Sequence, residues 1–430
     1  MPDANTTLPK VLIIADQASA KFGGEAILPL QYFRRLRARG VETFLITHAR
    51  NRIELALELP RDQDRIFYVP DTRLHQWLNR ASRPLPGPIG FFTLKLAGRL
   101  LSQKHARDLA RTLVRERQID VVHQPIPVSP REPSLLADLG APLVMGPMNG
   151  NMTYPPGFRS RQGWWTIALV TIGRLMSNLT HRVLPGKRRA QTLLIANERT
   201  REGLPGGCQG RVITLAENGV DLSLWTRPDT SPAPDAPNTS EATGPTRLVY
   251  LGRLADWKGV DLLLDAMAIA AGTCDITLDI LGDGPMREAL EAQTQRLGLS
   301  SRVRFAGWVA QTDCPRRIRH ADVLVLPSYH ECGGAVVLEA MACGLPCIAT
   351  DWGGPADYLD TTCGILVPPR TTDQFVNDLA GAIVRLATDP PLRRSMGQQA
   401  KERVAAQFDW ERKIDRIVEI YRETVEGFNA

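Results

Sequence analysis

Residues 11–47 read VLIIADQASAKFGGEAILPLQYFRRLRARGVETFLIT. An apolar run opens this stretch, and a glycine turn follows it at Gly23 and Gly24. A helical pattern then covers about residues 26–39, and a second apolar run occupies residues 41–47. A strand, a glycine turn, a helix and another strand in this order are typical of a parallel sheet with helices between its strands. The stretch therefore predicts an α/β fold.

The same alternation continues through the rest of the chain. Further strands are predicted at 119–123, 142–145, 192–196 and 212–215, and then at 248–251, 277–281, 303–305, 323–326 and 347–349. Residues 226–245, between the two series, are rich in Pro, Ser, Thr and Ala without hydrophobic periodicity, which indicates a linker or a disordered loop. We therefore predict two doubly wound domains, 1–222 and 246–405. Residues 406–430 show helical spacing of apolar side chains and predict a terminal amphipathic helix.

The overall composition predicts a globular protein without a membrane span. Of the 430 residues, 43% are hydrophobic and 23% are charged, and the length suits two domains. No apolar run reaches the ~18 residues that a spanning helix needs, and no secretory signal is expected at the N-terminus. The seven cysteines lack the paired spacing of a zinc site, which favours reduced thiols and a cytoplasmic location.

The segment 331–346, ECGGAVVLEAMACGLP, combines two carboxylates with a glycine pair. Gly333 and Gly334 stand where a loop should enter a helix. Backbone N–H groups at a helix start attract phosphate, and glycine lets a ligand approach closely. Glu331 is predicted on the loop and Glu339 about one and a half turns into the helix. Carboxylates at these two places can accept hydrogen bonds from different hydroxyls of one long ligand, such as a sugar and a ribose.

Two basic residues, Arg253 and Lys258, follow the predicted strand 248–251. They would lie at the carboxyl end of that strand, where ligands of α/β sheets bind. The planar fork of Arg and the point charge of Lys both suit a phosphate group. Either residue alone is equally typical of a solvated loop. Their occurrence together with the 331–346 segment in one predicted domain is what favours a phosphate site.

At this point the second half of the chain resembles the retaining glycosyltransferases of family four. The segments that carry the resemblance are LGRLADWKGVDLLLDA, ILGDGPMREAL, VRFAGWV, ADVLVLPS, HECGGAVVLEAMACGLPCIATDWGGPADYL and GILVPP, in that order. The similarity is close over about 247–370 and looser over 1–222. It implies the GT-B fold, with two facing Rossmann-like domains and a C-terminal helix that crosses back to the first domain.

The resemblance also implies a function and a role for each matching residue. The expected activity is that of a hexosyltransferase that uses a nucleotide diphosphate sugar and needs neither a metal nor another cofactor. Arg253 and Lys258 match the pair that holds the donor diphosphate. Glu331 matches the carboxylate that faces the donor sugar, and Glu339 the one that binds the ribose. Transfer is expected to retain the anomeric configuration, with the acceptor attacking from the face that the nucleotide leaves.

Small residues complete the donor site that the resemblance implies. Gly23 and Gly24 match the loop of the first domain that approaches the phosphates. The helix start at Gly333, Gly334 and Ala335 is expected to contact the donor. A bulkier apolar residue is common in the family at the position of Gly333, so the sugar pocket is expected to differ here.

The chain departs from the family where many relatives carry a histidine that faces the donor sugar. The corresponding loop, after the predicted strand 142–145, reads GPMNGNMTYPPGF. Asn149 is one candidate for the missing polar contact, although an amide cannot act as a base. His123, at the end of another predicted strand, is the other candidate. The alternative for His123 is a hydrogen-bonded histidine with a structural role.

Other classes of protein stay open at this stage. One is an epimerase-like enzyme or a phosphorylase on the same fold, although an epimerase would lack these glutamates and no pyridoxal lysine site is evident. Another is a catalytically silent nucleotide-sugar-binding protein. Asp62-Gln63-Asp64 looks like a metal-binding motif but lies away from the phosphate elements, so we predict no metal there.

Charge is distributed unevenly along the chain. Residues 1–215 hold 31 Lys and Arg against 16 Asp and Glu, whereas the remainder holds 21 against 30. The predicted helix 91–117 places Lys95, Arg99, Arg107, Arg111 and Arg115 on one ridge, and the stretch 158–189 mixes aromatic and basic residues. These features predict peripheral contact with an anionic membrane at the inner face of the cell, and a glycan or lipid-linked acceptor. The alternative is a helix packed on its own sheet; no nucleic-acid motif is present.

Overall fold

The computed structural model describes residues 8–21, 24–84, 91–226 and 244–430, without the side chains of residues 91–92 and of several positions between 164 and 178. The chain divides into two compact units. The first comprises Met1–Asn151, Gly163–Glu217 and Glu411–Ala430, and the second comprises Met152–Gln162 and Asn218–Trp410. Most of the predicted linker, 226–245, lies outside the described residues.

A seven-stranded parallel sheet forms the centre of the first unit, in the order β3-β2-β1-β4-β5-β6-β7. Its strands are β1 Val11–Ile14, β2 Thr43–His48, β3 Ile66–Val69, β4 Val121–Gln124, β5 Leu143–Met148, β6 Thr192–Ile195 and β7 Arg211–Thr214. The helices of this unit are Leu28–Ala38, Arg52–Glu58, Arg73–Ser82, Leu96–Arg117, Trp164–Val183, Gly186–Arg189, Glu198–Glu202 and, from residue 411 onward, Trp410–Asn429. Strands β1, β2 and β4 are buried along their whole length, as expected when helices cover both faces of a parallel sheet.

A six-stranded parallel sheet forms the centre of the second unit, in the order β10-β9-β8-β11-β12-β13. Its strands are β8 Thr246–Leu251, β9 Ile276–Leu281, β10 Val303–Gly307, β11 Val323–Leu326, β12 Cys347–Thr350 and β13 Gly364–Val367. Its helices are Leu222–Trp225, Val260–Ala270, Arg287–Arg296, Cys314–Ile318, Ala335–Ala342, Gly354–Tyr358, Thr372–Thr388 and Pro390–Gln407.

Both sheets reverse their strand order once, between β1 and β4 in the first unit and between β8 and β11 in the second. This is the topology of a doubly wound sheet, and the prediction of two such sheets is confirmed. In these sheets the loops on either side of the reversal part at the carboxyl ends of the strands and leave a crevice for ligands. The crevice of the second unit therefore lies between the loops that follow β8 and β11.

The terminal helix Trp410–Asn429 follows the second unit in sequence, but its residues from 411 onward belong to the first. Ile414, Ile417 and Ile420 on its apolar face are fully buried. The hydroxyl of Thr424 lies 2.8 Å from that of Thr192, which begins β6. An amphipathic helix of this kind is stabilised mainly by the surface that it covers.

Residues 152–162 lie shortly after the end of β5, and the predicted domain boundary at residue 222 places them in the first domain. The structure groups them with the second unit. Phe158 is fully buried and stacks on Tyr329 at a ring distance of 4.9 Å. Arg161 forms an ion pair of 2.7 Å with Asp261. A buried aromatic stack and an ion pair thus hold this segment to the second sheet.

Most of the basic side chains predicted to form a ridge on the helix Leu96–Arg117 bind other groups of the first unit. Arg99 lies 3.1 Å from the carboxylate of Glu132. Arg107 donates a hydrogen bond of 3.2 Å from Nε to the carbonyl oxygen of Ala137. Guanidinium groups engaged in this way agree with the alternative interpretation, in which the helix packs on its own sheet.

The second feature behind the membrane prediction was the aromatic and basic stretch 158–189. Phe158 is buried in the second unit, and the side chains of Trp164 and Trp165 lie outside the described ones. Within the described ranges, every helix is either too short or too polar to cross a membrane.

Candidate functional site

The loop after β8 carries the two basic residues predicted to hold phosphate. Arg253 is exposed, and its carbonyl oxygen accepts a 3.0 Å hydrogen bond from the buried hydroxyl of Tyr250. Lys258 ends a short 3-10 turn, Asp256–Lys258, and Gly259 follows it with a φ of 67°. Among the described residues, no hydrogen bond or ion pair engages the Arg253 guanidinium. That cation is therefore available to an anionic ligand at this edge.

Glu331 lies on the loop after β11, the strand next to β8. Its carboxylate forms an ion pair with Lys258, and Ser328 donates a 3.4 Å hydrogen bond to the same carboxylate. The two charged side chains are each more than four-fifths buried, at 18% and 16% exposure. The structure thus brings together two residues that stand 73 positions apart in the sequence, at the reversal point of the sheet.

The start of the helix Ala335–Ala342 depends on close approach of backbone atoms. Gly334 is its N-cap and has a φ of 72°, which a side chain would make costly. A Cβ atom at Gly354 would lie 2.2 Å from the carbonyl oxygen of Gly333, so the two loops meet without room for a side chain. The first N–H groups of a helix have no partner within it, which makes such a start a suitable phosphate site.

Glu339 lies in the second turn of this helix and is half-buried. Burial raises the pKa of its carboxyl group to about 7. The thiols of Cys314 and Cys343 are close enough for the Glu339 charge to raise their pKa values further, beyond the larger effect of burial. Among the described residues, no group donates a hydrogen bond to the Glu339 carboxylate. A ligand hydroxyl would supply the missing donor.

A residue that sequence reasoning missed, His330, lies directly beside Glu331. Its ring stacks on Tyr154 at a centroid distance of 4.7 Å. Trp352 donates a 2.8 Å hydrogen bond from Nε1 to the carbonyl oxygen of Thr153. Segment 152–162 thereby forms one wall beside the Glu331 loop. Burial lowers the pKa of His330, so the neutral ring is favoured there.

His123, one of two candidates for the missing family histidine, is fully buried at the end of β4. Its Nε2 lies 2.6 Å from the carbonyl oxygen of Gly146, and its Nδ1 lies 2.7 Å from the hydroxyl of Tyr421. Burial lowers its pKa to about 4. Both nitrogens are thus occupied, which agrees with the structural alternative and leaves no ring nitrogen for a substrate.

Asn149, the other candidate, belongs to a buried polar network at the end of β5. Its amide nitrogen donates a 2.8 Å hydrogen bond to Glu217, and its amide oxygen accepts one of 3.3 Å from Asn197. Lys413 of the terminal helix donates to the carbonyl oxygen of Glu217. Burial lowers the pKa of Lys413 to about 7. Asn149 is 2% exposed, so the network fixes its orientation.

The remaining predicted positions lie in the first unit. Gly23 is outside the described residues. Gly24 begins a 3-10 turn with a φ of 54°, and a Cβ atom there would meet open space. Asp62 is bound by Arg37 at 3.0 Å and precedes the amino end of β3, so the Asp62/Asp64 pair lies away from the carboxyl edge.

Comparisons with known proteins agree with this description of the second unit. Residues 234–403 match the model of the family described as glycosyl transferases group 1. Alpha-D-kanosaminyltransferase from Streptomyces kanamyceticus is 36% identical over 178 residues, 41% of this chain. Glycogen synthase from Mycobacterium tuberculosis is 30% identical over 217 residues, 50% of this chain. The matches span 45% and 49% of these relatives' own lengths, so the chain covers about half of each.

Structural comparison extends over nearly the whole chain. Sucrose-phosphate synthase from Thermosynechococcus elongatus superimposes with a TM-score of 0.64 at 21% identity, covering 97% of this chain and 100% of that one. At this identity the likeness concerns the fold. Residues 234–403 thus match the glycosyl transferases group 1 family, within a chain that has the two-domain GT-B fold.

Proposed function

We propose that this chain transfers a hexosyl group from a nucleotide diphosphate sugar to an acceptor hydroxyl, with retention of configuration and without a metal. The observation that carries the proposal is the ion pair of Lys258 with Glu331 at the strand reversal of the second unit. The exposed Arg253 and the helix start at Ala335 belong to the same edge. The names of the relatives described above, a glycosyl-transferring enzyme in each case, support this proposal.

Binding of the donor would exchange partners within the site. The diphosphate attracts Lys258 and Arg253, because its two charges exceed the single charge of Glu331. Glu331 then has lone pairs for hydroxyls of the sugar, and Glu339 accepts a hydrogen bond from the ribose. The helix start at Gly334 faces phosphate oxygens with backbone N–H groups. Each of these contacts uses a group that the protein already holds in place.

Chemistry then consists of breaking the bond between the anomeric carbon and the diphosphate oxygen while the acceptor oxygen attaches from the same face. Negative charge grows on the leaving diphosphate, and the two cations with the helix start stabilise it. His123 has no vacant nitrogen and Asn149 is an amide. The departing phosphate oxygen gains negative charge beside the acceptor hydroxyl, and we assign to it the role of taking that hydroxyl's proton.

A titration of nucleotides tests the donor assignment directly. UDP, GDP and ADP are titrated into the full chain by calorimetry, and the best ligand is repeated with Lys258→Ala. Arg394→Ala removes an exposed cation elsewhere in the second unit and serves as the control. Loss of binding in Lys258→Ala alone supports the site. Equal binding by all three proteins would overturn it.

A further inference from the structure

A cavity of about 540 Å³ opens at the carboxyl edge of the sheet of the first unit. Residues from the ends of β1, β2 and β3 line it together with the helices Arg73–Ser82 and Leu96–Arg117. A neighbouring cavity of about 170 Å³ shares several of its lining residues, Asp16 and His48 among them. Neither cavity contains a residue of the donor site proposed above.

The first unusual feature of the cavity is a buried donor without an acceptor. The side chain of His48, at the end of β2, is 4% exposed. Its Nδ1 accepts a 3.2 Å hydrogen bond from the backbone N–H of Arg50, so the ring proton is on Nε2. Among the residues that the structure describes, that Nε2 has no hydrogen-bond partner, and a carboxylate oxygen of Asp71 lies 3.9 Å away. A buried N–H without an acceptor is costly, which favours a ligand there.

The second feature distinguishes an anion from a metal ion. His48, Asp71 and His75 could offer three ligand atoms within 4.8 Å of one another. However, Nδ1 of His75 also accepts a backbone N–H, that of Thr72 at 3.3 Å. In metal sites the second ring nitrogen of a histidine ligand usually donates a hydrogen bond. Here it accepts one in both histidines, so each Nε2 carries a proton that a metal would have to displace. The Nε2 of His75 also lies 3.1 Å from the hydroxyl of Ser102 and is thus already engaged.

The third feature is the charge of the cavity wall. The lining residues described by the structure include two carboxylates, Asp16 and Asp71, and five cations, which are Arg50, Arg80, Arg83, Lys95 and Arg99. Arg50 pairs with Asp16 at 3.0 Å and Arg99 with Glu132 at 3.1 Å. Arg80, Arg83 and Lys95 are exposed, and no ion pair engages them among the described residues. The cavity therefore has an excess of positive charge.

The fourth feature is an unpaired acceptor near the donor. Oδ1 of Asp16 is buried and has no hydrogen-bond partner within the described part of the chain, although Oδ2 of the same carboxylate is bound by Arg50. A carboxylate oxygen repels a phosphate but accepts readily from a hydroxyl. The cavity thus offers N–H groups and cations for an anion, and a carboxylate for a hydroxyl.

From these features we infer that the cavity binds an acceptor that carries both a phosphate and hydroxyl groups. The phosphate is bound by His48 Nε2 and by Arg80, Arg83 and Lys95, and a hydroxyl donates to Asp16. That the ligand is a glycosyl acceptor rests on the proposed function. That the cavity binds a phosphate rests only on the residues that line it. A phosphorylated polyol and a phosphate-bearing lipid headgroup share this chemistry.

The test uses the full chain with two pairs of probes. Calorimetry compares glycerol 3-phosphate with glycerol, and flotation compares vesicles of phosphatidylglycerol with vesicles of phosphatidylcholine. One variant combines R80Q, R83Q and K95Q. The control combines R61Q, R73Q and R115Q, which removes the same charge from exposed positions of the first unit outside the cavity. A second variant, His48→Phe, removes the buried N–H, and thermal melting checks that each protein is folded.

We expect the phosphate-bearing probe of at least one pair to bind about tenfold or more tightly than its neutral match. The cavity variant should lose that preference, and the control should keep it. Binding of glycerol 3-phosphate identifies a phosphorylated polyol, and binding of anionic vesicles alone identifies a lipid headgroup; either supports the site. No preference in either pair, or an equal loss in variant and control, would overturn it.

Nucleotide titrations on the same samples keep the two proposals separate. If nucleotides bind but neither phosphate-bearing probe is preferred over its neutral match, the acceptor inference is wrong and the donor site is still supported. If a phosphate-bearing probe is preferred, the cavity variant loses that preference and no nucleotide binds, the cavity site is supported and the donor assignment is wrong.

Discussion

Lys258 and Glu331 form an ion pair between the loops that follow two neighbouring strands, β8 and β11. The pair occupies the reversal point of the second sheet, where the topology leaves a crevice. Each side chain neutralises the other, and both are mostly buried. The pair therefore keeps the crevice ready for a ligand without leaving an unpaired buried charge.

The first prediction concerns the cations of this edge. Arg253→Ala and Lys258→Ala should each lower kcat/KM by about tenfold or more, because each removes a proposed charge-assisted contact of ~1.5–3 kcal/mol to the leaving diphosphate. Initial rates with the best donor measure the effect. Arg394→Ala, which removes an exposed cation of the same unit, should be near wild type. Near-wild-type rates for both site variants would contradict the assignment.

The second prediction separates the two glutamates. Glu331→Gln should lower kcat more than it weakens nucleotide affinity, because Glu331 is proposed to face the reacting sugar. Glu339→Gln should weaken binding of the free nucleotide diphosphate, because its contact is with the ribose. Calorimetry and initial rates on the same preparations measure both quantities. If the two variants show the opposite pattern, the roles are exchanged.

The third prediction follows from the raised pKa of Glu339, about 7 against an ordinary value of 4.5. The fold favours the protonated form of this group, so its contribution to stability is fully present below about pH 4.5 and is lost as pH rises through about 7. A ribose hydroxyl prefers the ionised carboxylate, so nucleotide binding should strengthen from pH 6 to pH 8.

Comparison with Glu339→Gln isolates this effect, since the phosphates of the ligand titrate equally with both proteins. The ratio of wild-type to variant affinity should rise with pH. A ratio that stays constant from pH 6 to pH 8 would show that the carboxylate does not contact the nucleotide.

The fourth prediction is that transfer persists without divalent metal. Arg253, Lys258 and the helix start at Ala335 are proposed to meet the charge of the leaving group. Excess chelator should leave most of the activity. Loss of activity with chelator, and its recovery on adding Mg²⁺ or Mn²⁺, would show that a metal ion neutralises the leaving group instead.

The fifth prediction tests the structural role of His123. His123→Phe leaves the hydroxyl of Tyr421 and the carbonyl of Gly146 without their partner, which should reduce the free energy of unfolding by ~1–3 kcal/mol. Urea denaturation measures the loss, and Tyr421→Phe should show part of it. Activity per folded molecule should change little. A thousandfold loss of activity in a stably folded variant would restore His123 as a catalytic candidate.

The candidate donor site could be proposed from the sequence because its signals are local. Glu331, Gly333 and Gly334 lie on one short loop, and the helix that follows them is continuous with it. The alternation of apolar runs and helical stretches was enough for two doubly wound sheets. Strands β3, Ile66–Val69, and β13, Gly364–Val367, which lie at sheet edges, were not predicted as strands.

The first-unit cavity could not be predicted, because its residues meet only after the sheet forms. Asp16, His48 and Asp71 lie at the ends of three different strands, and nothing in the sequence pairs them. The structural role of His123 could not be predicted either, because its partner Tyr421 lies 298 positions away. The only sequence signal for either was a polar residue at the end of an apolar run, which is common in any α/β protein.

The division of the first unit into separate segments has a consequence for how the protein is made. Residues 411–430 emerge from the ribosome only after the second unit, yet Ile414, Ile417 and Ile420 cover apolar surface of the first. That surface stays uncovered during synthesis, when domains normally fold in order. A fragment ending at residue 217 should therefore aggregate on its own and recover when a peptide of residues 410–430 is supplied.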